Sequence, residues 1–258
     1  AKREEIRRYF HATLDCYEQL FQTLQDDEAY LKKPISLRHP LIFYLGHTST
    51  FFTNKLVLAG LITERINPRL ESMFAVGVDE MSWDDLDTTH YDWPSVEEVR
   101  AYRAKVRVIV DTLITDMPLT LPIGWDSPWW TIMMGIEHER IHLETSSVLI
   151  RQHALEYVRP HPAWEPYKGS GEAPENQLID VPEGIVQLGK TKTDPTYGWD
   201  NEFGKRVAQV AAFQAAKYLV SNGEFLAFVQ AGGYESESFW EEEGRAWRRY
   251  TRTDYPVF

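Results

Sequence analysis

The segment that most constrains this chain runs from Trp129 to Ile150 and carries two histidines, His138 and His142, four residues apart. Its apolar residues recur at helical spacing and predict one long helix, with Ile132, Ile136, Leu143 and Leu149 among them. Residues four apart lie one turn apart on the same face of a helix. The two histidines therefore predict half of a metal site.

The His-x-x-x-His spacing alone is weak evidence for a metal site, because a chain with 8 histidines in 258 residues often contains it by chance. Other residues must support this interpretation. Glu139 completes the His-Glu-x-x-His pattern of zinc peptidases, in which the glutamate is the general base. The longer metzincin pattern is excluded by Thr145 and Val148, which stand where it needs Gly and His. Another type of zinc peptidase would need an acidic third ligand from the Pro- and Gly-rich stretch that contains Glu165 and Glu172.

Composition narrows the classes of partner. A net charge of −12 disfavours nucleic acid and anionic membranes, which bind basic surfaces, and favours small-molecule substrates. The single cysteine, Cys16, cannot form an internal disulfide, and the chain begins without the apolar core of a signal peptide. No apolar run is long enough for a membrane helix. We therefore expect a cytoplasmic protein with no membrane partner.

Apolar periodicity predicts four long helices, which cover residues 2–25, 40–62, a segment that begins after Ser95, and 129–150. Pro40 suits the first turn of its helix, and Ser95 suits an N-cap. Helices of this length predict an antiparallel four-helix bundle in which the second and fourth helices face each other across the core.

His47 is the one strongly polar residue on the apolar surface of the second predicted helix. It has two interpretations: a core histidine bonded to a carbonyl, or a third metal ligand that faces His138 and His142. Glu144 is nearer to His142 in sequence than His47 is, and it is another candidate for the third ligand. It lies about 200° around the helix from His142, however, and so points away from the two histidines.

The stretch from residue 63 to 94 is too long for an ordinary bundle connection and too apolar to be disordered, so we expect it to fold over the site. Several of its charged residues could contact a substrate, although solvation or mutual pairing is the simpler expectation for each: Arg65, Arg69, Asp79, Glu80, Asp84, Asp85 and His90.

A change in composition predicts a second domain. Residues 161–174 are rich in Pro and Gly and read as a linker between a bundle at 1–160 and an α+β module at 175–258. In that module, residues 184–188 predict a strand, 207–217 an extended segment, and Ser221 the cap of a short helix.

Four segments together resemble the 5-histidylcysteine sulfoxide synthases, also called ovothiol synthases: HPLIFYLGHTSTFFTNKLVLAGLI, RINPRLESMFAVGVDEMSWDDLD, GIEHERIHLETSSVLIRQ, and YGWDNEFG with KYLVSNGEFLAFVQAGGY. The resemblance implies an α+β multidomain fold, in which a DinB-like four-helix bundle precedes a formylglycine-generating-enzyme-like, C-type-lectin-like module. It implies that His47, His138 and His142 hold a non-haem Fe(II). The implied reaction couples the sulfur of L-cysteine to the imidazole C5 of L-histidine with O₂, and forms the sulfoxide.

Two departures from this family limit what the resemblance implies. Related ergothioneine sulfoxide synthases typically carry Gln before the last histidine ligand, where this chain has Ile141, and this difference favours the ovothiol type. The second module looks incomplete, so we expect a longer protein, in which a methyltransferase domain often follows. We expect the part of that module that supplies a catalytic tyrosine to lie in this longer protein, so the resemblance assigns no catalytic residue here.

Two other functions stay open at this point. A DinB-type thiol transferase or hydrolase would use the same histidines with zinc or nickel and a thiol cofactor, and would consume no O₂. A non-enzymatic metal-binding or interaction module, completed by another chain, is the other alternative.

Overall fold

The computed structural model describes residues 1–75, 91–165, 168–169 and 171–256. The chain divides into two compact units, one made of residues 1–166 and 191–203, the other of residues 167–190 and 204–258. The first unit is helical and the second combines short strands with helices. This composition agrees with the predicted α+β fold class.

The described helices of the first unit are α1 (Lys2–Phe21), α2 (Asp27–Leu31), α3 (Leu41–Leu58), α4 (Pro68–Met73), α5 (Val96–Asp116) and α6 (Pro128–Arg151). The four long helices form the predicted bundle, because α1 and α3 each pack against both α5 and α6. The short helices α2 and α4 were not predicted, and α1 ends at Phe21, four residues before the predicted limit.

Local chemistry explains where the long helices begin. The hydroxyl of Ser95 accepts a hydrogen bond from the amide of Glu98 at the start of α5, as predicted for an N-cap. Pro40 immediately precedes α3, and α6 begins at Pro128, where a missing amide costs no hydrogen bond. These signals predict from sequence alone where α3, α5 and α6 begin.

The core lies between the long helices. Phe10 of α1 and Phe52 of α3 meet edge to face with ring centroids 5.9 Å apart, and both side chains are buried. Trp129 of α6 is fully buried and donates its indole N–H to the carbonyl of Pro118 at 2.8 Å. Burial of each such side chain contributes about 1.5–3 kcal/mol. Within this bundle α3 and α6 pack directly against each other.

Residues 191–203 belong to the first unit. They contain two aromatic side chains that contact rings of the bundle, one pair tilted and the other edge to face. Tyr197 lies 5.0 Å from Trp130, and Phe203 lies 4.6 Å from Trp125, measured between centroids.

The second unit contains two separate two-stranded antiparallel sheets. One pairs β1 (Leu178–Val181) with β4 (Phe213–Ala216), and the other pairs β2 (Gly184–Leu188) with β3 (Arg206–Val210). Two helices follow, α7 (Asn222–Gln230) and α8 (Glu242–Thr251). The predicted strand at 184–188 and the helix capped by Ser221 are both present, whereas β1 and α8 were not predicted.

Among the described helices, none combines the length and the apolar character that crossing a lipid bilayer requires.

Candidate metal site

The two helices that carry the three histidines, α3 and α6, pack closely where a small residue faces a large ring. A Cβ atom at Gly135 of α6 would overlap the ring of Phe52 on α3, and a Cβ atom at Gly46 would overlap the ring of Phe74. Both glycines therefore make room for aromatic side chains in the layer that surrounds His47. The contact between Gly135 and Phe52 lets α3 approach α6 closely.

His47, His138 and His142 converge in the core and are called the histidine cluster below. Each offers one ring nitrogen, and these nitrogens all lie within 4.8 Å of one another. The ring centroids lie 5.0 Å apart for His47 and His138, 4.7 Å for His47 and His142, and 4.5 Å for His138 and His142. Within the described ranges, no other group of three His, Cys, Asp or Glu residues brings its ligand atoms this close.

A main-chain contact fixes the orientation and tautomer of His47. Its Nδ1 lies 2.7 Å from the carbonyl oxygen of Phe74, directly after α4. A carbonyl only accepts hydrogen bonds, so Nδ1 carries the proton and the lone pair resides on Nε2. Metal-bound histidines characteristically donate their other N–H in this way. The two interpretations of His47 are thus compatible, since it bonds a carbonyl and also belongs to the cluster.

The other two rings are held less directly. His138 stacks on Phe51, with centroids 3.7 Å apart and planes 8° from parallel. Its buried Nδ1 has no hydrogen-bond partner among the described residues. The Nδ1 of His142 lies 3.4 Å from the hydroxyl of Thr145, which is long for a hydrogen bond. An unpartnered nitrogen in a buried cluster of imidazoles is an arrangement that a metal ion would satisfy.

Burial lowers the pKa of His138 and His142 and so keeps both imidazoles neutral. Burial, the larger cause, and the neighbouring His47 together lower the pKa of His142 to about 3. Burial is also the largest cause that lowers the pKa of His138 far below its ordinary range, followed by its two histidine neighbours. At neutral pH both rings therefore present lone pairs without losing a proton, as metal binding requires.

The acidic residues near the cluster have other roles. Glu139, the general base of the peptidase pattern, is instead paired with a cation: its side chain is 1% exposed and accepts a hydrogen bond from Arg103 at 2.8 Å. Glu144 is exposed and lies outside the cluster, as its angle around the helix predicts. Glu165 and Glu172 are also exposed and are not part of the cluster. The third ligand that a zinc peptidase needs is therefore absent among the described acidic residues.

The two described arginines of the long connection form ion pairs with glutamates that were not among the candidates. Arg65 donates to Glu71 at 2.9 Å, and Arg69 donates to Glu98 at 2.6 Å. The remaining candidates lie outside the described residues: Asp79, Glu80, Asp84, Asp85 and His90.

Sequence reasoning missed a cleft beside His142. The cleft has a volume of about 410 Å³, and its lining includes Arg38, Tyr44, Glu144 and Gln152. The rings of Tyr44 and His142 have centroids 6.1 Å apart. Tyr44 lies one helical turn before His47, so helical spacing could have indicated its place. The cleft is large enough for an amino-acid-sized molecule and reaches one member of the cluster.

The protein-family comparison agrees with this architecture. The model of the DinB superfamily matches residues 9–146, which is more than half of the chain. The chain belongs to the DinB superfamily. A second model, the sulfatase-modifying factor enzyme 1-like domain, matches residues 166–257. This DinB chain therefore carries two modules in the predicted order.

The chain is also similar to several curated proteins. It is 29% identical over 240 residues to ergothioneine biosynthesis protein 1 of Neurospora crassa, a match that covers 84% of this chain and 27% of that protein. It is 28% identical over 251 residues to a hercynine oxygenase of Mycolicibacterium smegmatis, with 93% of this chain and 54% of that protein covered. The hercynine oxygenase of Mycolicibacterium thermoresistibile is 25% identical, with coverages of 95% and 53%.

The chain thus spans about half the length of these bacterial relatives and about a quarter of the fungal one. The DinB match, the second module and the relatives confirm the predicted resemblance to sulfoxide synthases and the predicted fold class.

The packing of Gly46 gives a first prediction. In the variant Gly46→Ala, the new methyl group displaces the ring of Phe74, and with it the carbonyl that orients His47. Overpacking of this kind costs about 1–3 kcal/mol. We expect a lower urea midpoint and weaker binding of Fe(II) in anaerobic titrations. Gly124→Ala is the matched control, because a Cβ atom there meets nothing within 4 Å. Equal behaviour of the two variants would contradict this account.

Proposed function

We propose that this protein is a non-haem, Fe(II)- and O₂-dependent sulfoxide synthase that joins a cysteine-type thiol to the imidazole of a histidine-type substrate. The observation that carries the proposal is the convergence of three imidazole nitrogens within 4.8 Å, contributed by α3 and α6. The order of the two modules and the names of the relatives support the same reaction class.

The donor set fits divalent iron. Imidazole is a suitable ligand for Fe(II), and three neutral rings leave coordination positions for other groups. The low pKa values of His138 and His142 mean that protons do not compete for these nitrogens near neutrality. When bound, iron supplies the one-electron and O₂ chemistry that no side chain of the cluster provides.

The residues around the cluster would position the substrates. The cleft beside His142 offers a guanidinium at Arg38 and a carboxylate at Glu144, which suit the carboxylate and ammonium groups of an amino acid. Phe51 shields the buried face of His138 from water. The overall reaction consumes one thiol, one imidazole C–H and one O₂, and yields one C–S sulfoxide and one water. One oxygen atom goes to sulfur, and the other leaves with the two hydrogens.

Two observations bear on which imidazole is used. Ile141, which is 44% exposed directly before His142, favours L-histidine and the ovothiol type. The relatives named hercynine oxygenase favour hercynine and the ergothioneine type. We propose L-cysteine with L-histidine as the first pair to test and hercynine as the alternative imidazole. The net charge of −12 supports small-molecule substrates over nucleic acid, and we propose a cytoplasmic location.

The experiment is anaerobic reconstitution with Fe(II), followed by cysteine, either imidazole substrate, and then air. We expect O₂ consumption together with a coupled sulfoxide detected by mass spectrometry. A thiol-transfer product without O₂ consumption would support the thiol transferase instead. That alternative does not account for the second module at residues 166–257. Failure to bind iron at all would refute the proposal. Because the chain covers about half of its bacterial relatives, the same assay should be run on a chain extended to their length.

A further inference from the structure

Arg103 of α5 is a buried cation that touches both ligand-bearing helices. It is 4% exposed. Its Nη2 donates to Oε1 of Glu139 at 2.8 Å, and its Nε donates to Glu18 of α1 at 2.5 Å. Arginine presents these donors in a planar fork of fixed geometry. Arg103 therefore constrains distances between helices as well as neutralising charge.

The contacts of Arg103 on α3 lie on both sides of His47 in the sequence. Its Nη1 donates to the carbonyl oxygen of Leu45 at 2.8 Å and to the hydroxyl of Thr48 at 2.7 Å. The Oγ of Ser49 lies 3.3 Å from the same nitrogen. These three contacts with one turn of α3 constrain both the position of the helix along its axis and its rotation at His47.

The contact on α6 is equally close to the histidine cluster. Glu139 follows His138 directly in the sequence, so its position sets the rotation of the turn that carries His138. A single guanidinium thus connects the main chain around one candidate ligand to the residue beside another.

A second buried contact reinforces this layer. The hydroxyl of Tyr17 donates to the carbonyl of Tyr44 at 2.9 Å and lies 3.1 Å from the hydroxyl of Ser146. Tyr44 precedes His47 by three residues, and Ser146 follows His142 by four. The guanidinium of Arg103 lies 5.1 Å from the centre of the Tyr17 ring.

We propose that Arg103 and Glu139 are positioning residues that set the separation and orientation of His47 and His138 for metal binding. The proposal rests on the metal site proposed above and assigns no contact between either residue and the ion. An apolar pair of similar size commonly stabilises a fold as well as a buried ion pair does. Stability alone therefore does not require these two charges, whereas accurate placement of α3 against α6 uses the directional fork of the arginine.

The test replaces both residues, in the double variant Arg103→Met with Glu139→Met. This variant leaves no buried charge unpaired, because the side chain of Glu18 is 29% exposed and reaches water. We expect it to fold, to bind Fe(II) roughly 10–100-fold more weakly in anaerobic titration, and to give a changed visible spectrum when loaded with Co(II). Wild-type affinity together with a wild-type Co(II) spectrum would overturn the proposal.

The matched control is Arg7→Met with Asp111→Met. That pair joins α1 to α5 through two hydrogen bonds of 2.7 and 2.9 Å and touches neither ligand-bearing helix. We expect it to bind metal as the wild type does. Equal weakening in the control and test variants would mean that general loosening of the bundle is responsible, and would overturn the proposal.

A second variant covers the case in which the double variant does not fold. Arg103→Lys keeps the charge beside Glu139 but removes the fork. Weaker Fe(II) binding with a changed Co(II) spectrum supports the proposal, and unchanged binding overturns it. If the wild-type protein binds neither Fe(II) nor Co(II), both the proposed function and the positioning role are wrong. If the wild type binds metal and the variants bind it equally well, only the positioning role is wrong.

Discussion

His47→Ala is expected to abolish metal loading. The substitution removes one of three nitrogen donors and also the N–H bonded to the carbonyl of Phe74. Loss of a residue that only orients a ligand costs roughly 10–100-fold in affinity, so loss of a ligand itself should exceed that range. Anaerobic titration with Fe(II), followed by separation of bound from free metal, measures the effect. Without loading, the sulfoxide product should also disappear.

A second buried histidine provides the control for this substitution. His153 is 8% exposed, and its Nε2 lies 3.0 Å from the carbonyl of Ala29. It lies outside the histidine cluster, and glutamine can still donate to that carbonyl. His153→Gln should therefore load iron normally. If His47→Ala also loaded normally, His47 could not be the third ligand.

Arg103→Met alone is expected to destabilise the bundle by about 3–5 kcal/mol, because it leaves the carboxylate of Glu139 buried without its cation. Glu139 is 1% exposed, and its Oε2 has no hydrogen-bond partner among the described residues, so Arg103 is its main support. Urea unfolding followed by far-ultraviolet circular dichroism measures the loss. Adding Glu139→Met should restore most of the stability.

Arg7→Met, which breaks an ion pair whose arginine is exposed, is the reference variant for this stability measurement. The side chain of Arg7 is 41% exposed, and exposed ion pairs contribute only about 0–1 kcal/mol. A loss for Arg103→Met no larger than that of Arg7→Met would show that water reaches Glu139 easily.

The long helices and the histidine cluster were accessible from sequence because their signals are local. The apolar spacing of α3 and α6, Ser95 as a cap, and proline in the first turn each depend on residues within a few positions. His47 was a candidate because it interrupts an apolar surface. Its role as a ligand remains a prediction, as do the domain limits at 160 and 175, whereas its position beside His138 and His142 is a property of the fold.

The Arg103 contacts could not be predicted in this way. In the sequence of α5, Arg103 stands among other charged residues and would be expected to face solvent. Its burial depends on Glu18 and Glu139, which lie 85 and 36 residues away in the sequence. The burial of Glu139 could not be predicted for the same reason. Strand β1 was missed because it is four residues long and its side chains are mostly exposed, so it lacks the alternating burial that marks a strand.

The contact that orients His47 comes from the main chain at position 74, and this affects how the site can be probed. A peptide oxygen is present whichever side chain occupies that position, so the genetic code offers no substitution that deletes it. Alanine scanning would score Phe74 as a packing residue and overlook its second contribution. Only backbone chemistry, such as an α-hydroxy acid at Ala75 that turns this amide into a weaker-accepting ester, could separate the two.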